Sequence, residues 1–140
     1  MSSPTSMMIC AAGLGKRLQP ITSVTPKPLV KLGGITLLEY NIYYFSAHGV
    51  KHFIINAHHL AEQVQEKVFS LANIFPELEF TYIYEPEPLE TGGGVLNALP
   101  HFAEQNPLFI ANSDGILIDK LEANSVSLLT NTWDSEAMDI

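Results

Sequence analysis

The sequence predicts an α/β fold of Rossmann-like type: a mostly parallel sheet with helices on both faces. Three observations predict it. Short continuous apolar runs recur along the chain, as in strands buried on both faces. Segments of helical periodicity separate them. Glycine-rich or acidic loops stand where the carboxyl ends of those strands would be, which is where open α/β sheets bind ligands.

In chain order, Met7 to Ala11 is an apolar run ending at glycines and reads as the first strand. Thr36-Leu37-Leu38-Glu39 has the form of a capping box, and Leu38, Ile42 and Phe45 then repeat at helical spacing until Gly49. The spacing predicts a helix from Leu37 to Ala47. His52 to Asn56 is a second buried strand, and Leu60, Val64, Val68 and Leu71 mark a second amphipathic helix. Leu78 to Tyr84 alternates well enough for a third strand. Val95 to Leu99 reads as a short helix starting after three glycines, and Leu108 to Ala111 as a fourth strand ending at Asn112-Ser113-Asp114-Gly115. Beyond that the pattern weakens, and no repeat, linker or domain boundary interrupts the chain.

The 140 residues are 46% hydrophobic and 16% charged, a balance that suits one globular domain with a sizeable core. A lone cysteine, Cys10, cannot form an internal disulfide and reads as core packing. The amino-terminal residues lack a secretory pattern, so a cytoplasmic location is the expectation. No apolar run approaches the roughly 18 residues of a membrane span. A net charge of −8 argues against a general nucleic-acid binder. Yet Lys16, Arg17, Lys27 and Lys31, four of the seven Lys and Arg residues, fall together, and no acidic residue precedes Glu39. That local charge suits a small polyphosphate, with a solvated basic loop as the simpler alternative.

Three constellations carry chemistry. In the first, Ala11-Ala12-Gly13-Leu14-Gly15-Lys16-Arg17 is followed by Pro26-Lys27-Pro28. Its small residues let backbone amides approach phosphate or a base edge, Arg17 can grip phosphate bidentately, and Lys27 supplies a placed charge. Leu18 stands where a Rossmann fingerprint needs its third glycine, and Arg17 where a P-loop needs Ser or Thr. The second is Glu85 to Gly94, with the triplet Gly92-Gly93-Gly94. Thr91 could cap a helix there, while three glycines at a helix start point to close approach by a sugar or phosphate. The third is Asn112-Ser113-Asp114 at a strand end. His48 and His52 are separated by Gly49 and do not form a zinc-binding face.

In this order, Cys10 to Leu29 resembles the signature of the sugar-1-phosphate nucleotidyltransferases, departing from it at Cys10 and Lys16. The resemblance implies the nucleotide-diphospho-sugar transferase fold and a reaction joining a nucleoside triphosphate to a sugar 1-phosphate with release of pyrophosphate. It implies nucleotide binding by Ala11, Ala12, Gly13, Gly15, Lys16, Arg17, Lys27, Glu85 and Gly92, with Arg17 and Lys27 the catalytic cations. Thr91, Gly93 and Asn112 would meet the sugar, and Asp114 would bind Mg2+. Glu85 would accept an N–H from uracil or guanine. Leu89 to Gly94 is most similar to the branch acting on UTP and N-acetylmuramic acid 1-phosphate in cell-wall recycling. Guanylyl or thymidylyl transfer to mannose, heptose or glucose 1-phosphate is the alternative within the family, and a non-catalytic regulatory domain is the alternative outside it.

Members of that family are longer, and Met138-Asp139-Ile140 has the look of another strand beginning. The expectation is therefore that residues 1–140 are the amino-terminal portion of such a domain. That portion would be poorly active without a second metal-binding Asp and prone to dimerise through an exposed sheet edge.

Overall fold

The computed structural model describes residues 3–102, 107–120, 123–134 and 136–137. The anticipated strand start at Met138 to Ile140 lies outside them. Four strands form one parallel sheet: β1 (Ser6–Cys10), β4 (His52–Ala57), β5 (Glu79–Tyr84) and β6 (Phe109–Asn112), in the order β5-β4-β1-β6. The chain builds outward from β1 through β4 to β5, then crosses back so that β6 pairs with the other side of β1. This reversal opens a crevice at the strands' carboxyl ends, the usual ligand position in such sheets.

Alternate residues of β1 and β4 face opposite layers. Met7, Ile9, Phe53 and Ile55 pack under helices α1 (Leu37–Ala47), α2 (Ala61–Ile74) and α4 (Ser125–Thr132), through residues such as Leu38, Ile42, Val64, Leu71 and Val126. Met8 and Ile54 face the opposite layer, where helix α3 (Glu90–Ala98) contributes Ala98. Both faces are covered, as the continuous apolar strands require.

The first helix has the predicted bounds. Glu39 N–H donates to Thr36 Oγ1 at 3.2 Å while Thr36 N–H donates to Glu39 Oε2 at 2.8 Å, which closes the capping box. A short antiparallel hairpin of β2 (Lys31–Leu32) and β3 (Ile35–Thr36), which the sequence reading left unassigned, precedes it. Its Gly33-Gly34 turn has φ of 61° and 88° at the two positions.

The sequence reading of the glycine triplet requires correction. Helix α3 starts at Glu90, not at Val95, and its N-cap is Leu89, with no side-chain cap, so Thr91 is not the capping residue. All three glycines lie within the helix. A Cβ on Gly94 would stand 3.0 Å from Asn56 Nδ2 and 3.1 Å from Glu85 Oε1. The demand for a glycine there comes from protein packing rather than from a ligand.

Candidate active site

The loop after β1 turns through Gly15, whose φ is 62°. A Cβ there would lie 2.8 Å from Thr22 Cγ2, so both conformation and space call for glycine. Thr22 Oγ1 donates to Gly15 O at 2.7 Å. His59 Nε2 sits 2.7 Å from Thr22 O, and Gln63 Nε2 donates to Val24 O at 2.9 Å. These bonds tie the basic loop to the start of α2. Lys16 and Arg17 occupy an exposed 3-10 turn, Lys16–Leu18, and Lys27 opens another, Lys27–Leu29.

These elements surround a cavity of about 460 Å³ at the carboxyl ends of the strands. Of the residues expected to bind ligand, Ala11, Ala12, Gly13, Gly15, Lys16, Arg17, Lys27, Glu85, Thr91, Asn112 and Asp114 all line it. Gly92 and Gly93 are not among the lining residues; the adjoining stretch Pro88 to Thr91 forms that wall instead. Cys10 lies only partly within the core, at the cavity wall. Burial, with the nearby Glu85 charge adding to it, pushes its thiol up from the ordinary value.

In the cavity wall, Lys27 Nζ and Asp114 Oδ2 form an ion pair. The hydrogen bond from Lys27 lowers the Asp114 carboxyl below its ordinary range against the effect of partial burial, and the charges of Lys27 and Arg17 act in the same direction. Glu85, also lining the cavity, is 1% exposed. Its Oε1 accepts from Asn56 Nδ2 at 2.7 Å, and its Oε2 is buried without a hydrogen-bond partner among the described residues.

Asn56 itself was missed by the sequence reading, although an amide ending an otherwise apolar strand was a usable signal. Its Oδ1 accepts from Ala11 N–H at 2.8 Å. The Ala11 amide is thus engaged within the protein, although Ala11 itself lines the cavity. Asn41, also unforeseen, donates to Ser113 O at 3.3 Å and Gly115 O at 3.1 Å, and so holds the turn that carries Asp114.

A doubly covered parallel sheet with a cationic glycine loop at its switch point defines an α/β domain of the nucleotide-binding kind. Residues 6–131 match the nucleotidyl transferase family, and the chain belongs to it. It is 33% identical over 140 residues to N-acetylmuramate alpha-1-phosphate uridylyltransferase of Caulobacter vibrioides, covering 99% of this chain and 57% of that protein. D-glycero-alpha-D-manno-heptose 1-phosphate guanylyltransferase of Aneurinibacillus thermoaerophilus is 29% identical over 112 residues, covering 80% of this chain and 47% of that one. The chain thus spans about half the length of the curated relatives it matches. Among solved structures, HddC from Yersinia pseudotuberculosis complexed with GMP-PN superposes with a TM-score of 0.75 at 26% identity, covering 93% of this chain and 55% of that chain. UDP-glucose pyrophosphorylase complexed with UDP-glucose shares the fold, with a TM-score of 0.75 at 16% identity, covering 91% of this chain and 52% of that one.

Proposed function

We propose that this domain belongs to an enzyme that transfers a uridylyl group from UTP to a sugar 1-phosphate, with N-acetylmuramic acid 1-phosphate as the acceptor. The observation that carries the reading is one cavity lined by three cations together with a buried carboxylate. Lys16, Arg17, Lys27 and Glu85 all line it; the three cations would meet the triphosphate and Glu85 the base. The similarity to the Caulobacter uridylyltransferase supports the choice of base and sugar.

In the proposed reaction a sugar-phosphate oxygen attacks the α-phosphorus of UTP. A new oxygen–phosphorus bond forms, the bond to the bridging α–β oxygen breaks, and pyrophosphate leaves with the electron pair. The attacking phosphate is already ionised, so no general base is needed. Lys27 would neutralise the α-phosphate and incoming phosphate, and Arg17 the departing pyrophosphate.

Asp114 fits a single hard-oxygen ligand for Mg2+, an ion held by one or two carboxylates together with substrate phosphates. Among the described residues no group of three or more His, Cys, Asp or Glu side chains is placed to hold a metal ion. When bound, Mg2+ would supply charge neutralisation to the phosphates.

The test is pyrophosphate release with UTP, GTP and dTTP against sugar 1-phosphates, using this chain and a form lengthened to match its relatives. UTP with N-acetylmuramic acid 1-phosphate should give the highest rate. A clear preference for GTP would replace the reading with guanylyl transfer, which the heptose 1-phosphate relative favours. Lys27→Ala should lower turnover by at least about 100-fold, and a loss of only a few fold would remove Lys27 from its role.

A further inference from the structure

Asn56 joins the carboxyl ends of three neighbouring strands through one side chain. It lies at the end of β4, its Oδ1 accepts the Ala11 N–H that follows β1, and its Nδ2 donates to Glu85 just beyond β5. The two bonds settle the amide's orientation, since a backbone N–H needs an acceptor and a carboxylate needs a donor. Asn56 is 3% exposed, so neither bond is readily exchanged for water.

This arrangement leaves one hydrogen-bonding capacity open. Glu85 Oε1 is taken by Asn56, whereas Oε2 is buried and has no partner among the described residues. A buried acceptor in that state is costly until a donor reaches it. Glu85 lines the cavity, so a ligand edge carrying an N–H is the complement. Gly94 of α3 packs against the Asn56–Glu85 bond, where a Cβ would stand 3.0 Å from Asn56 Nδ2 and 3.1 Å from Glu85 Oε1.

We propose that Asn56 is a positioning residue for base selection: by pinning Glu85 Oε1 it presents Oε2 to a ring N–H, as on uracil or guanine. Cytosine and adenine carry an acceptor nitrogen at the corresponding place, which would leave two acceptors face to face. The inference rests on the proposed nucleotide site in this cavity.

The experiment is equilibrium titration of UTP and CTP, with Mg2+, into the chain and two variants. The unaltered chain should prefer UTP by about 100-fold, as expected where a buried polar group must be matched. Asn56→Asp sets a second carboxylate against Glu85 and should shrink that preference to about threefold or less. Adding Glu85→Gln to Asn56→Asp restores complementarity, because the Gln amide can donate to Asp while its carbonyl oxygen meets the base. The UTP preference should then return to about tenfold or more. A folded Asn56→Asp chain with undiminished preference overturns the inference, as does a folded double variant without recovery. If the single variant fails to fold, the double variant decides alone by the same criterion. Failure of the unaltered chain to bind any triphosphate removes the nucleotide site itself, whereas equal binding of UTP and CTP removes only the role of Asn56.

Discussion

The ammonium of Lys27 lies 2.5 Å from Oδ2 of Asp114, so the cation proposed to meet phosphate and the carboxylate proposed to hold Mg2+ are in mutual contact. Each partly neutralises the other until ligand arrives. Asp114→Asn should therefore have opposite effects under two conditions. With chelator present, UTP should bind about threefold more tightly, because a freed ammonium gains roughly what an exposed pair is worth. With Mg2+ present, the variant should lose the enhancement that the metal gives to UTP binding. Calorimetry in both buffers measures the two effects. Equal weakening in both would show that the pair serves structure alone.

Glycines two positions apart in α3 should respond in opposite directions to the same substitution. A Cβ at Gly94 would press on Asn56 and Glu85, whereas at Gly92 it meets nothing within 4 Å. Gly94→Ala should destabilise the chain by about 1–3 kcal/mol and weaken UTP binding. Gly92→Ala should stabilise it by about 0.5–1 kcal/mol through helix propensity. Urea denaturation of the two variants gives both signs.

Acid sensitivity should involve Glu39. Burial raises its carboxyl, but hydrogen bonds from Lys67 and from Thr36, with the Lys67 charge, outweigh burial and leave it below the ordinary 4.5. A folded value below the unfolded one means that its stabilisation is fully present above about pH 4.5 and disappears as pH falls through the folded value. Glu39→Gln should cost about 1 kcal/mol at neutral pH and flatten the acid limb of a stability profile. An unchanged limb would remove Glu39 from that role.

Tyr44 on α1 clasps the segment leading to α4. Its hydroxyl donates to Asp119 Oδ1 at 2.5 Å and accepts from Ser125 N–H at 3.2 Å, while Asp119 also accepts that N–H at 3.0 Å. Tyr44→Phe keeps the ring and removes the clasp. Hydrogen exchange at Ser125 should quicken by about tenfold, with little change in the strands. A uniform increase across the fold would mean that the clasp contributes to global rather than local stability.

Local signals account for what the sequence disclosed. Thr36 and Glu39 define the start of α1 within four residues, and Val64, Val68 and Leu71 mark the buried stripe of α2. The cationic loop drew notice because its residue types and order suit a polyphosphate, whereas Asp114 was singled out only through the family resemblance; both line the cavity. The glycine triplet was not, because its cause is distant in sequence: Gly94 answers to Asn56 and Glu85. Asn56 offered a signal as an amide ending an apolar strand, but its partners, residues 11 and 85, are distant in sequence. Helix α4 escaped notice because it is short and places only Val126 in the core, although Asn124 caps it through a bond to Ser127 N–H.

For inhibitor design, the bond between Asn56 and Ala11 removes an apparent anchor from the first turn of the loop. A compound that aims a carbonyl or sulfonyl oxygen at the Ala11 amide would compete with an internal bond already made, and would gain little for its desolvation. A scaffold presenting a cyclic imide toward Glu85, joined to an acidic group for Lys27 and Arg17, uses other residues lining the cavity and leaves that amide alone. Its selectivity against targets that lack the Asn–Glu pair would then come from the imide, and its dependence on salt from the acid.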